Sequence, residues 1–405
     1  MDTTRPFDVM VAGHLCLDII PKFVAGATSL GELLRPGKLV EVGEATISTG
    51  GPVSNTGIVM KILGNTVCFS ARVGDDGFGK ITLDILRERG NAEGVRVISG
   101  VGSSYTVVIA PPNIDRVFLH NPGTNNTYEP EDLQPELISQ CRLFHFGYPP
   151  LMRRMYEDAG DSLRRIFQTA KDCGATTSCD LALPDPQSPS GRAPWRRILE
   201  KVLPYVDIFL PSIEEAFFML EPETFLRMKE EHGGAELIDV LKPSDYSRVA
   251  DQLLEMGCKM TTLKAGHRGF YLKTGSSSSF EKMGVARPGD PQAWHQREIW
   301  HPAYRAEHLA SATGSGDASI AGFLTGFLRG LPPEKTLSCA TCVGWQNLQE
   351  LDAVSGVKGW DYTLAMIEKG MPMLDAHLES SGWTWTEKHN VWAGPEDILS
   401  RTVQS

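Results

Sequence analysis

Three things are scarce in this 405-residue chain, and each scarcity excludes a class of function. No stretch approaches the roughly 18 uninterrupted apolar residues that a membrane-spanning helix needs. The N-terminus, from Met1 to Asp8, lacks the basic start and apolar run of a secretory signal, so the expected compartment is the cytoplasm. Basic charge is short too: 39 Lys and Arg stand against 50 Asp and Glu, a formal net charge of −11. No Lys/Arg run supplies a footprint for a phosphate backbone, so neither nucleic acid nor membrane is an expected partner. An anionic small molecule stays compatible with this balance, because two or three local cations override the net charge. Cysteine pairing is also missing. The eight cysteines (16, 68, 141, 173, 179, 258, 339 and 342) are scattered through apolar stretches and read as reduced, core-packed thiols. The close pair Cys339 and Cys342 has no second Cys/His pair at ligand spacing, so a buried helix face is expected there.

What is present is alternation. Short apolar runs at 7–11, 66–73, 142–146, 176–181, 206–210, 260–263 and 269–272 read as strands. Between them lie helical patterns at 54–63, 81–89, 156–171, 195–203 and 246–256, the second of them closed by Gly90. This predicts an α/β fold: a doubly wound, mostly parallel sheet with helices on both faces. Two regions, about 14–50 and 104–122, hold strand patterns and Gly/Pro turns without crossover helices. Residues 105–120 read as a hairpin, and the two regions together predict a small separate sheet able to act as a lid. One domain over 1–405 is expected, with a C-terminal extension from about 375. Segments 221–245 and 274–292 read as surface insertions. The Trp/His-rich run 294–308 carries His295, His301 and His308 at spacings that fit no common metal pattern, and an amphipathic strand with exposed rings is expected instead.

The most informative segment is Thr313-Gly-Ser-Gly-Asp317, a glycine turn opening a helix on which Ile320, Phe323, Leu324, Phe327 and Leu328 recur at helical spacing. At such a start the N–H groups of Gly314, Ser315 and Gly316 lack intrahelical partners, and the helix dipole favours negative charge. Asp317, in the first turn, stays ionised and can accept a proton from a hydroxyl.

This segment resembles the second signature of the ribokinase-like (PfkB) carbohydrate kinases. The upstream stretches Gly50-Gly51-Pro-Val-Ser-Asn55 and Arg72-Val-Gly-Asp-Asp-Gly-Phe-Gly79 resemble their first signature, in the same order and spacing. The resemblance implies an ATP-dependent kinase acting on a hydroxyl of a sugar-like molecule, with Mg²⁺. It casts Asp317 as general base and Gly314, Ser315 and Gly316 as the anion hole. Asp18, Gly50, Gly51 and Asn55 become the substrate loop, with Asn55 also expected to cap its helix. Lys264, Gly266, Gly269 and Asn347 become the nucleotide site, and Glu215 the organiser of magnesium. Asp180 and Trp195 fit a family stretch in which a structural role is expected.

The chain departs from the family pattern at three places. Ser212 stands where the family has Asn before Glu215, Ser311 where it has Asp, and Val53 where it prefers a smaller residue or Pro. Ser311 leaves dependence on a monovalent cation open. A nucleoside acceptor, with Phe23, Tyr105 or Phe118 as a shelf, is the alternative within the fold. A non-catalytic sensor is the alternative outside it. A dehydrogenase is disfavoured, because no Gly-x-Gly-x-x-Gly follows the first strand. Arg116, His120 and Arg153 could serve an anionic acceptor, but exposed surface charge is the default reading for each. A homodimer is left open.

Overall fold

The computed structural model describes residues 5–23, 29–112, 117–378 and 382–403. Strand β1 (Phe7–Gly13) is largely buried and lies inside the main sheet. The chain then leaves that sheet for β2 (Cys16–Pro21) and β3 (Ala45–Gly50). It returns through the helix Pro52–Ile62 to β4 (Val67–Gly74), and the helix Gly77–Arg89 leads to β5 (Asn91–Ile98). Strands β6 (Tyr105–Ile109) and β7 (Val117–Asn121) form the expected hairpin and complete a separate sheet of order β3-β2-β6-β7. The tip of that hairpin, with Arg116, lies outside the described residues. A single helical turn, Leu30–Leu33, interrupts the stretch read as helix-free.

Four further strands, β8 (Cys141–Gly147), β9 (Thr176–Cys179), β10 (Ile208–Phe209) and β11 (Met260–Lys264), follow one another in parallel across the main sheet. β1 lies between β8 and β4, so the winding reverses there, and the carboxyl ends of these strands form the crevice in which ligands of open α/β sheets bind. Helices cover both faces. Pro52–Ile62, Gly77–Arg89, Ser315–Leu328 and Pro333–Asn347 contribute to one core; Asp161–Asp172, Trp195–Val202, Ile213–Leu220 and Pro243–Glu255 contribute to the other. The doubly wound fold with a small lid sheet is therefore present.

The helix Ser315–Leu328 differs from the expected one-sided pattern, because almost all of its residues from Asp317 onward are buried. Small residues permit this. A Cβ at Gly322 would lie 2.7 Å from the Cys339 carbonyl oxygen, so the helix Pro333–Asn347 packs backbone-close against it. All eight cysteines are unpaired, and seven are buried. Among the described residues no helix is long and apolar enough to cross a membrane.

Three expectations need correction. The helix read over 156–171 is two helices, Arg154–Glu157 and Asp161–Asp172, broken where Ala159 (φ 53°) and Gly160 (φ 79°) turn left-handed. The proposed surface insertions are partly anchored: 221–245 contains the helix Pro222–Glu231, and Phe280, Met283 and Ala286 are buried. The rings of the Trp/His segment are not exposed. Trp294 and Trp300 are fully buried around β13 (Glu298–His301), Trp294 standing edge-on to Phe323 and Phe327. His301 is buried, which pushes its pKa down to about 4, while His308 is exposed. Among the described residues no cluster of three metal-ligating side chains exists.

The C-terminal extension joins the main sheet rather than the lid. Strands β12 (Phe270–Thr274), β13, β15 (Val391–Ala393) and β14 (Thr384–Thr386) continue it in antiparallel pairing. Trp383 closes this edge, with its ring centroid 5.9 Å from that of Trp300 and 6.0 Å from that of Tyr271. Asp397 accepts from Arg297 Nε (2.9 Å) and from the Glu298 N–H (3.0 Å). Trp383→Ala should therefore cost about 3–5 kcal/mol, the usual range for truncating a packed aromatic. Urea unfolding should show a lower midpoint with an unchanged slope.

Candidate active site

The carboxyl ends of β1, β8, β9 and β11 and the start of the helix Ser315–Leu328 bring one set of polar side chains together. Gly314 caps that helix with φ 77°, and a Cβ there would lie 2.5 Å from the Ala353 side chain, so glycine is required. The N–H groups of Gly314 and Gly316 have no acceptor among the described residues. Ser315 departs from the expectation: its N–H turns back to the Ala312 carbonyl oxygen at 3.2 Å. Two N–H groups of the expected three are thus open to an anion.

Asp317 is 2% exposed. Asn55 Nδ2 donates to its Oδ2 at 2.9 Å, and the Tyr148 hydroxyl lies 3.0 Å from each carboxylate oxygen. Burial pushes the Asp317 pKa up; the Asn55 bond, the Lys264 charge and the Tyr148 bond oppose that rise. Asn55 is not a helix cap. The cap is Gly51 (φ 83°), and Asn55 lies inside the helix with its side chain free to reach Asp317 across 262 positions of sequence. Tyr148 was missed, and nothing in its local pattern marks it.

Lys264 closes the other side. Its Nζ contacts Asp180 Oδ1 (2.5 Å) and the Leu210 carbonyl oxygen (3.0 Å), and stands 3.9 Å from Glu215 Oε2. Its stem runs beneath Gly316, so that a Cβ there would sit 3.9 Å from Nζ. Burial works against the ammonium, but Asp180 and Glu215 outweigh it and hold the Lys264 pKa above the ordinary value. Asp180, read from sequence as structural, is thus the counter-ion of a lysine in the site. Glu215 forms a capping box with Ser212: its Oε2 accepts from the Ser212 N–H at 2.6 Å, and Ser212 Oγ accepts from the Glu215 N–H at 3.2 Å.

A cleft of about 740 Å³ runs outward from Gly316, Lys264 and Glu215. Gly266 (φ 52°) and Gly269 (φ 105°) line it, and Tyr304, Trp345 and Leu348 make an apolar end that sequence reasoning did not single out. Asn347 is not in its wall. The side chain is buried behind the glycine turn, where Nδ2 donates to the Thr313 carbonyl oxygen at 2.8 Å.

Asp18 lies on β2 of the lid, where burial pushes its pKa up. Gly50 faces it so closely that any Cβ would collide with the Asp18 carboxylate. Gly51 packs on His14, so that a Cβ there would lie 2.6 Å from Nδ1. His14 Nε2 in turn meets His120 Nε2 of β7 at 3.3 Å. His120 and Arg153 are otherwise engaged, with Thr106 and Glu157 respectively. Phe118 is half exposed on the lid, and Tyr105 stands edge-on to Phe78.

A doubly wound sheet, a small lid and a glycine-led helix start beside a deep cleft define a class of ligand-binding α/β protein. The family model for pfkB carbohydrate kinases matches residues 8–358, and the chain belongs to that family. It is 28% identical over 215 residues to a probable fructokinase-3 of Arabidopsis thaliana, covering 52% of this chain and 58% of that relative. It is 26% identical over 282 residues to a probable fructokinase-5 of the same plant, covering 66% and 78%. The chain thus spans little more than half the length of the first of these relatives. The fold matches an Arabidopsis thaliana ribokinase solved with ribose and ATP (TM-score 0.65, 17% identity, 89% of this chain and 99% of that one). A Xylella fastidiosa fructokinase with bound ATP is similar at TM-score 0.63, 18% identity, and 89% and 98% coverage.

Proposed function

We propose that this chain transfers the γ-phosphoryl group of ATP to a hydroxyl, most simply a hydroxymethyl group, of a sugar or sugar derivative. The observation that carries the reading is one constellation: a buried carboxylate, Asp317, held by two donors beside unpartnered helix-start N–H groups and the Lys264 ammonium. Asp317 takes the proton of the acceptor hydroxyl as its oxygen forms a bond to the γ-phosphorus. The bond from that phosphorus to the bridging oxygen breaks, and ADP leaves. Negative charge on the transferring group faces the Gly314 and Gly316 N–H groups and Lys264, donors already fixed in place. ATP fits the cleft with its phosphates toward Gly316 and its base toward Tyr304 and Trp345. Gly266 and Gly269 allow the close approach.

Glu215, the cleft-wall carboxylate beside Lys264, suits magnesium, which keeps most of its water and is usually shared with substrate phosphates. Bound there with ATP, it would neutralise phosphate charge. Asp18, with Gly50 giving it room, supplies a lid acceptor for sugar hydroxyls. The unpaired thiols suit the reducing cytoplasm.

The test is ADP release by the purified chain with ATP and Mg²⁺ against ketoses, aldoses, sugar acids and nucleosides, with fructose and ribose first. Turnover of about 1–100 s⁻¹ on a sugar is expected. ATP binding with no acceptor-dependent ADP release across the panel would contradict the reading, and turnover confined to a nucleoside would replace its substrate class.

A further inference from the structure

We propose that Tyr148 is a positioning residue that holds the Asp317 carboxylate in its ionised, proton-accepting orientation; this rests on the reading of Asp317 as general base. Tyr148 follows β8 and has φ 60°, a left-handed conformation uncommon for a bulky side chain. Such strain persists only where the surroundings over-determine it, and it gathers at functional sites. Here the next residues, Pro149 and Pro150, open a 3-10 turn, and the left-handed residue leads the chain from β8 into it. The ring stands 6.2 Å from the His14 ring, and the hydroxyl sits 3.0 Å from both oxygens of Asp317.

The two oxygens are not equivalent. Oδ2 also accepts from Asn55, whereas Oδ1 has Tyr148 as its hydrogen-bond partner among the described residues. Oδ1 is therefore the oxygen with free lone-pair capacity, and the acceptor hydroxyl approaches it. The proton passes from that hydroxyl to Asp317 and not to the phenol. Burial, reinforced by the neighbouring Asp317 charge, keeps the Tyr148 phenol protonated. A phenol that only donates favours the carboxylate form of its partner.

Other groups also act on Asp317: Asn55 and Thr56 from the helix Pro52–Ile62, Lys264 at the end of β11, Asp180 after β9, and Glu215 on the helix Ile213–Leu220. His14 beside Tyr148 is uncharged, with burial pushing its pKa down to about 3. Tyr148→Phe removes one oxygen and leaves every one of these groups in place.

The readout is the carboxyl-carbon NMR titration of Asp317 in aspartate-labelled protein, the resonance being assigned by its loss in Asp317→Asn. In Tyr148→Phe the midpoint should rise by about one pH unit. The acid limb of kcat should move upward with it, and thermal stability should change little. A second sample, wild-type chain carrying 3-fluorotyrosine, has more acidic phenols and should move the midpoint downward. This sample keeps the question open to measurement if the Phe variant does not fold. Unchanged midpoints in both would overturn the inference. If the midpoint moves in Tyr148→Phe but Asp317→Asn keeps wild-type turnover, the positioning bond stands and the general-base reading fails.

Discussion

Asp317→Asn should lower kcat by about 10²- to 10⁴-fold, the usual worth of a positioned general base, while ATP affinity changes little. The asparagine fills the same volume and can still accept from Asn55 through its carbonyl, so the fold has no reason to yield. What it loses is the capacity to take a proton. Activity should also depend on pH with a defined sign. Burial raises the Asp317 pKa above the ordinary aspartate value. The base is then lost at a higher pH than an exposed aspartate would allow, and kcat should fall as pH drops through that raised value. Steady-state kinetics of wild type and variant, with ATP binding measured separately, checks both statements. Near-normal turnover in Asp317→Asn would remove the base from the account.

Lys264→Met should destabilise the chain by about 3–5 kcal/mol, the cost of leaving one partner of a buried ion pair alone. Asp180 is 1% exposed, and Lys264 is its only cationic partner among the described residues. Without the ammonium, its carboxylate must either stay charged in a dry interior or take up a proton. The double variant Lys264→Met/Asp180→Leu also removes the carboxylate closest to the ammonium and should recover part of the loss, with Glu215 left to its bonds to Ser212. Urea denaturation of the single and double variants measures this. Turnover should fall in both, since each lacks the positive charge beneath Gly316. A single variant as stable as wild type would show that the pair carries no structural weight.

How much of this could be read from the sequence follows from the range of the interactions. The parallel sheet was legible because each strand and helix writes its own period within ten or so residues. The lid hairpin was legible for the same reason. Asp317 and its glycines were legible because a helix start is a local event, and because two distant stretches resemble signatures of one family. Tyr148 was not legible: it stands 169 positions from Asp317, and a single tyrosine after a strand carries no pattern. The resemblance picked out Asp180 and Lys264 separately, but nothing local pairs two residues 84 positions apart. Asn55, placed in the substrate loop, was also expected to cap its helix because the first turn of that helix is visible in sequence, while the helix it faces is not. Trp294 looked exposed because its partners Phe323 and Phe327 lie on a distant helix, and Trp300 because the fold's far edge was hidden. The three-residue strands β14 and β15 that cover it are too short to show a period. Ser315 misled in a finer way: its N–H was counted as open, and a local turn to Ala312 uses it.

The central claim is phosphoryl transfer to a sugar hydroxyl, and product analysis tests it most directly. The purified chain would be incubated with ATP, Mg²⁺ and each candidate acceptor, and ADP and phosphorylated acceptor quantified together by mass spectrometry. The account predicts equal amounts of the two with one sugar or sugar derivative, both lost in Asp317→Asn. ADP formed without a phosphorylated acceptor, or equal product from wild type and Asp317→Asn, would contradict it.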